Sequence, residues 1–329
     1  MGLRERIEGI WYGGEPAPWW LLMLVPLYRA LVGLRRLPCR LGLLRPARIA
    51  VPVICVGNLV AGGSGKTPLV IALVDALRAR GWQPGVVSRG YGGSAREARL
   101  LGPDSTPAEV GDEPVLIARR TGAAVAVGRD RAQAARLLLA QGVDLVLADD
   151  GLQNPGFVRD VEICVVDGRR RFGNGRLLPA GPLREPATRF AEYDFRVCNG
   201  GQTQQGEIPM QLEGSQAIAL AGDTASRPLA SFSGTAVHAV AAIGDPQRFF
   251  DALRGKGIEL IAHAFADHHA FVPSDLEFGD ARPVLMTEKD AVKCLPFARA
   301  GQWFVPVTAS LPASFFDAIA ARLQRPKAS

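Results

Sequence analysis

Gly62-Gly63-Ser64-Gly65-Lys66-Thr67 is the stretch on which the reading of this chain turns. An apolar, β-branched run, Ile49–Val56, precedes it, and a helix-like run, Leu69–Arg80, follows it. Strand, glycine-rich turn and helix together make a cradle for nucleotide phosphates. The glycines let backbone N–H groups face phosphate oxygens with no Cβ in the way. Lys66 supplies a point charge for the β- and γ-phosphates, and the Thr67 hydroxyl suits Mg²⁺. The loop departs from the common pattern, which has glycine where Val60 stands. It also lacks the second lysine of the Gly-Gly-x-Gly-Lys-Thr variant, where Ala61 stands.

On either side of this loop the chain alternates strand-like and helix-like runs, the signature of a parallel α/β sheet. Strands are expected at Gly85–Ser88, Ala123–Val127, Asp144–Ala148 and Val161–Val166. Helices are expected at 113–119 and 131–141. Composition shifts to Gly, Gln and Thr over Asn199–Gln211, which reads as a linker. Strand-like runs resume at Ala217–Ala221, Ala236–Ile243, Pro283–Thr287 and Trp303–Thr308, with helix-like runs at 247–254 and 313–323. The expected fold class is therefore α/β: a P-loop NTPase-like parallel sheet flanked by helices. A second, smaller α/β domain and an N-terminal membrane-interface helix complete it. The expected divisions are 1–45, 46–205 and 206–329, the last helix packing back on the core and the tail 324–329 frayed.

Charge and composition narrow the function classes. The 329 residues are 48% hydrophobic, enough for a large core and against general disorder. The five cysteines are scattered, with neither zinc spacing nor a disulfide framework, which points to a reducing compartment. The net charge is +6, and the first 50 residues carry eight arginines against three glutamates. A nucleic-acid binder spreads its basic residues over a folded face. Here they accompany apolar bulk: Pro18–Arg36 holds Trp19, Trp20 and Tyr28 ahead of Arg29, Arg35 and Arg36. Pro26 and Arg29 interrupt the apolar run, so it falls short of the ~20 residues of a membrane span. A helix lying in the membrane interface is the expectation, with tryptophans at the headgroups and arginines on anionic lipid.

Chemistry-bearing residues cluster at the predicted strand ends. Leu145–Asp150 is an apolar strand closing on two acids, Asp149 and Asp150, suited to Mg²⁺. Ser88-Arg89-Gly90-Tyr91 follows another strand, where parallel sheets bind ligands. The loop Phe172–Pro186 is dense in Gly and Pro; Arg184 suits phosphate and Glu185 the metal. Gly111-Asp112-Glu113-Pro114 reads as a capped helix start. Asp267-His268-His269 becomes interesting beside a hydroxyl acceptor, which needs a base. A guanine-nucleotide switch is disfavoured: Leu152 stands where its Asp-x-x-Gly glycine belongs, and Thr287-Glu288-Lys289-Asp290 has its lysine one place late. A soluble small-molecule kinase and a nucleotide-dependent switch or metal-insertion factor remain as alternatives from the residues alone.

The ordered set of these motifs resembles the tetraacyldisaccharide 4′-kinase family of lipid A biosynthesis. It comprises Gly57-Asn58, Gly62–Pro68, Ser88–Gly92, Gly111–Pro114 and Asp149-Asp150-Gly151-Leu152-Gln153, then Gly175–Glu185, Asp267-His268 and Thr287–Lys293. The resemblance runs from about Trp11 to about Val307. It implies transfer of the ATP γ-phosphate to the 4′-hydroxyl of a tetraacylated glucosamine disaccharide 1-phosphate, at the cytoplasmic face of a Gram-negative inner membrane. It implies ATP and Mg²⁺ as cofactors, the lipid acceptor and a membrane surface as partners, and no nucleic acid or obligate protein partner. For the residues it implies Asp112 and His268 as a proton-accepting dyad, with Lys66 and Arg184 at the transferred phosphate. Gly62–Thr67 would hold ATP. Thr67, Asp149, Asp150, Gln153 and Glu185 would surround the metal. Ser88, Arg89, Tyr91 and Glu113 would lie toward the acceptor.

Overall fold

The computed structural model describes residues 3–43, 46–154, 156–222 and 225–323. The tail 324–329 lies outside the described residues, as do the side chains of Arg4, Arg35, Arg36, Arg40 and Arg45. Two helices lead the chain, α1 (Leu3–Tyr12) and α2 (Trp19–Arg40). Pro26 and Pro38 sit inside α2, each removing a backbone donor from the helical ladder. Among the described residues no helix is long and apolar enough to cross a membrane.

The phosphate loop joins β1 (Val53–Gly57) to α3 (Lys66–Arg78). There follow β2 (Pro84–Ser88), β3 (Arg99–Leu100), α4 (Pro107–Val110), α5 (Asp112–Thr121), β4 (Val125–Val127) and α6 (Arg131–Leu139). Next come β5 (Leu145–Asp149), β6 (Val161–Asp167), β7 (Phe195–Asn199) and β8 (Ile208–Glu213). A second sheet takes up the chain with β9 (Gln216–Ala219), β10 (Ser226–Pro228), β11 (Ala236–Ala241), α7 (Pro246–Arg254) and β12 (Glu259–Ala264). It ends with β13 (Val284–Thr287), α8 (Glu288–Cys294) and β14 (Gln302–Val305). Then β15 (Thr308–Ser310) and α9 (Ala313–Arg322) return to the first sheet.

The larger sheet has the order β15-β8-β7-β6-β1-β5-β2-β4-β3. Its centre is parallel and only its outer pairs are antiparallel. Strands β1, β2 and β5 are buried at every position. A sheet covered on both faces requires that, and it explains their unbroken apolar runs. One face packs Leu69, Leu73 and Leu77 of α3 with Ile117, Phe315 and Ile319. The other packs Ala134 and Leu138 of α6 with Leu152, Phe157 and Leu183. Each such leucine, fully withdrawn from water, stabilises the fold by about 1.5–3 kcal/mol. The smaller sheet, β10-β9-β14-β13-β11-β12, has its own apolar cluster on each face.

The Asn199–Gln211 stretch differs from its reading as a linker. It is the turn from β7 into β8, and β8 belongs to the larger sheet. Gly200 and Gly201 take φ of 66° and 62° there, so the composition shift marks a turn inside a sheet.

Candidate active site

The carboxyl ends of the parallel strands of both sheets face one cavity of about 1400 Å³. The phosphate loop lies at its base. Gly65 has φ 92°, a conformation that favours glycine, and a Cβ there would displace the Asn199 amide. The Asn199 amide instead donates to the Ser64 carbonyl at 3.0 Å, pinning the loop from β7. Lys66 opens α3, so its charge and the helix's free N–H groups face the same point.

Fifteen of the sequence-predicted residues line this cavity: Gly62–Thr67, Ser88, Arg89, Tyr91, Glu113, Asp150, Gln153, Arg184, Glu185 and His268. Asp112 and Asp149 stand behind its wall, 4% and 0% exposed. Asp150, at φ 51°, turns away from the strand line of Asp149. It meets Arg184 Nη1 at 3.0 Å and Lys66 Nζ at 3.6 Å. Burial alone would raise its pKa, but Lys66 and Arg184 outweigh that and hold it far below the carboxylate range. Asp149 differs. Burial, reinforced by Glu113, pushes its pKa well above that range.

Both carboxylate oxygens of Asp149 are buried without a hydrogen-bond partner. An orphaned buried carboxylate beside the phosphate loop fits a divalent cation. Among the described residues no group of three or more His, Cys, Asp or Glu side chains could hold a metal by itself. That suits Mg²⁺, which keeps waters and phosphate oxygens in its shell and takes one or two carboxylates. Gln153 and Glu185 are engaged elsewhere. The Gln153 amide donates to the Asn58 carbonyl at 2.8 Å, and Glu185 pairs with Arg189 at 3.1 Å.

Opposite the loop, His268 Nδ1 lies 2.9 Å from Asp112 Oδ2. From the residues alone Asp112 reads as a helix cap, and the resemblance implies a dyad with His268. The cap is Gly111 at φ 91°, and Asp112 is the first residue of α5, so its carboxylate reaches the histidine. Burial favours neutral forms of both groups, but their hydrogen bond overrides it. Asp112 is held below its ordinary pKa, with Lys289 assisting, and His268 is raised above its own. His268 has φ 61°, a costly conformation for a residue other than glycine and one that recurs at functional sites. Tyr91 packs its ring 4.9 Å from the imidazole.

Sequence reasoning missed several participants. Lys289 bonds Glu113 at 3.0 Å and stands 3.9 Å from Asp112. Its signal was its place in the Thr287–Lys293 motif, just past a strand end, to which no role was attached. Arg131, 5% exposed, donates to the carbonyls of Asp149 and Asp150 at 3.2 and 2.8 Å. Arg248 of α7 donates to Asn199 Oδ1 at 2.7 Å and so touches the loop's anchor from the smaller sheet. Its partners lie 49 and 81 residues away, a pairing that no local pattern encodes.

A phosphate loop, a strand-end aspartate pair and an Asp–His couple around one cavity are the features of a P-loop phosphotransferase. The sequence pattern of LpxK, tetraacyldisaccharide-1-P 4′-kinase, matches residues 17–324. The chain belongs to this family. It is 53% identical over 325 residues to the tetraacyldisaccharide 4′-kinase of Stenotrophomonas maltophilia, covering 96% of each chain. It is 51% identical over 333 residues to that of Xanthomonas euvesicatoria, covering 97% of this chain and 96% of the relative. Its fold is similar to the crystal structure of LpxK from Aquifex aeolicus in complex with ATP. The TM-score is 0.75 at 26% identity, covering 92% of this chain and 98% of that one.

Proposed function

We propose that this kinase transfers the γ-phosphate of ATP to the 4′-hydroxyl of a tetraacylated disaccharide 1-phosphate at the cytoplasmic face of the inner membrane. The observation that carries the reading is the Asp112–His268 pair at 2.9 Å, set across the cavity from the phosphate loop. A hydrolase of ATP alone has no need of a base on the opposite lobe; an alcohol acceptor does.

In this reading Gly62–Gly65 and the start of α3 bind the phosphates through backbone N–H groups, and Lys66 and Arg184 neutralise the transferred group. Thr67, Asp149 and Asp150 would hold Mg²⁺, and Gln153 and Glu185 are the further residues assigned to its surroundings. The ion, when bound, spreads the negative charge of the β- and γ-phosphates. His268 faces the acceptor and takes the hydroxyl proton, while Asp112 fixes its tautomer and stabilises the imidazolium. Ser88, Arg89, Tyr91 and Glu113 orient the acceptor. We assign residues 46–213 with 308–323 to one lobe and 216–305 to the other, the dyad forming across their seam.

The lipid surface enters through α2. Trp19, Met23, Leu27, Leu31 and Leu34 repeat at near-helical spacing along it and are all more than half exposed. Such a face suits the acyl boundary, which supports an enzyme that works beside an acylated acceptor. The test is direct. Full-length protein in detergent should move ³²P from labelled ATP to the disaccharide 1-phosphate, giving a product one phosphate heavier. Use of a soluble acceptor instead, with the lipid untouched, overturns the proposal.

A further inference from the structure

The Gly- and Pro-rich loop 172–186 is held on both sides. On one side it meets the N-terminal helices. Trp11 Nε1 donates to the Pro179 carbonyl at 3.0 Å, and Asn174 Nδ2 donates to the carbonyls of Ile10 and Ala180 at 3.0 and 2.8 Å. Ala180 is buried with Ile10 and Leu21 in a small apolar cluster. On the other side the loop meets the approach to the phosphate loop. The Ala61 N–H donates to the Pro182 carbonyl at 2.8 Å, and the Arg184 N–H donates to the Leu59 carbonyl at 2.7 Å.

One contact spans the loop's width. The Tyr28 hydroxyl, from α2, donates to the Arg184 carbonyl at 3.1 Å. Arg184 in turn meets Asp150 at 3.0 Å, and Asp150 meets Lys66 at 3.6 Å. Tyr28 is half-buried and lines the cavity, whereas its neighbour Leu27 is 58% exposed on the outer face. The helix that offers its apolar face outward thus holds, one residue later, the backbone of an arginine at the phosphates.

We propose that Tyr28 is a positioning residue for phosphoryl transfer, tying the seat of α2 to the placement of Arg184. The coupling rests on the function proposed above. It gives the lipid surface a second part besides delivery of the acceptor: a seated α2 holds the loop, and the loop holds Arg184 over the site. A misplaced guanidinium costs rate without costing ATP binding, because the phosphate-loop amides and Lys66 still bind the nucleotide.

Tyr28→Phe in the full-length protein tests this, assayed for binding to phosphatidylethanolamine–phosphatidylglycerol vesicles, for melting temperature and for transfer kinetics. Vesicle binding and the KM for ATP should stay as in the wild type, and the melting temperature should fall by no more than a few degrees. The kcat should fall about 2- to 10-fold, the range of one typical net hydrogen bond. In an Arg184→Ala background the same substitution should cost nothing further, since the two act as a unit. An unchanged kcat, a full additional loss in the Arg184→Ala background, or a rate loss matched by lost vesicle binding each overturns the coupling. A wild-type chain that transfers no phosphate to the disaccharide overturns the functional reading, and the coupling with it.

Discussion

Asp112 and His268 are 156 residues apart and meet at 2.9 Å. The raised pKa of His268 means that its contribution to stability is complete below its free value of ~6.5 and is lost as pH rises through the folded value. The lowered pKa of Asp112 acts in the opposite sense. Its contribution is present above ~3.9 and is lost as pH falls through the folded value. Between those limits the pair is ionised and locked. Proton acceptance needs the neutral imidazole, so the transfer rate should rise with pH on a limb centred above ~6.5. Asp112→Asn should move that limb to lower pH and cut kcat about 10²- to 10⁴-fold. A pH–rate profile of the two proteins checks both, and an unmoved limb removes Asp112 from the pair.

Asp149 gives a second prediction at this scale. Its folded-state pKa is raised by burial, so the free protein loses stability as pH climbs from the ordinary carboxylate value through the folded one. Asp149→Asn should stabilise the nucleotide-free protein at neutral pH by roughly 1–3 kcal/mol. The same change should abolish most of the extra stabilisation that MgATP gives the wild type. Denaturant melts with and without MgATP read both effects. A destabilised free protein would mean that the carboxylate is satisfied by the fold itself.

Among the elements, α2 carries the plainest expectation. Met23 and Leu27 are 71% and 58% exposed one turn apart. Met23→Glu with Leu27→Glu should remove more than about 2 kcal/mol of interfacial burial, at ~1.5–3 kcal/mol per side chain, and so weaken vesicle binding more than ~30-fold. Flotation with anionic vesicles measures it, while activity on detergent-dispersed acceptor should fall far less. Retained flotation would move the lipid contact elsewhere. Helix α5 shows how much of an element is visible in advance. The sequence pattern predicts it over 113–119, and it spans Asp112–Thr121. The cap falls on Gly111 at φ 91°, one residue ahead of the expected aspartate cap.

Across the whole molecule, the two sheets touch where backbone meets backbone. A Cβ on Gly244, after β11, would stand 2.5 Å from the Gly63 amide nitrogen. The smaller lobe therefore rests on the phosphate loop with no room for a methyl group. Arg170 supports that seat, donating to the Gly244 carbonyl at 3.2 Å and pairing with Asp245 at 3.1 Å. Gly244→Ala should hold the lobes apart and cost about 1–3 kcal/mol of productive closure, roughly 10- to 100-fold in kcat/KM for ATP. Steady-state kinetics beside a melting curve test it. A large drop in melting temperature would show a folding defect in place of a closure defect.

The linear chain determined this protein's class. A local pattern suffices for a phosphate loop, because strand, glycines, lysine and helix are contiguous, and for buried parallel strands, because they are apolar throughout. Motif order then pointed to the family. The resemblance already implied that Asp112 pairs with His268; the tertiary structure supplied the geometry of that pair and decided the other meetings. His268 reaches Asp112, Lys289 reaches Glu113, Arg248 reaches Asn199 and Tyr28 reaches Arg184, each from a distant part of the chain. It also decided that β8 and β15 close the larger sheet around the excursion of the smaller one. The reason is physical. Helix and strand signals are carried by near neighbours. Charge pairs and hydrogen bonds across a cavity form only once long loops have closed, and their partners leave no period or spacing to read.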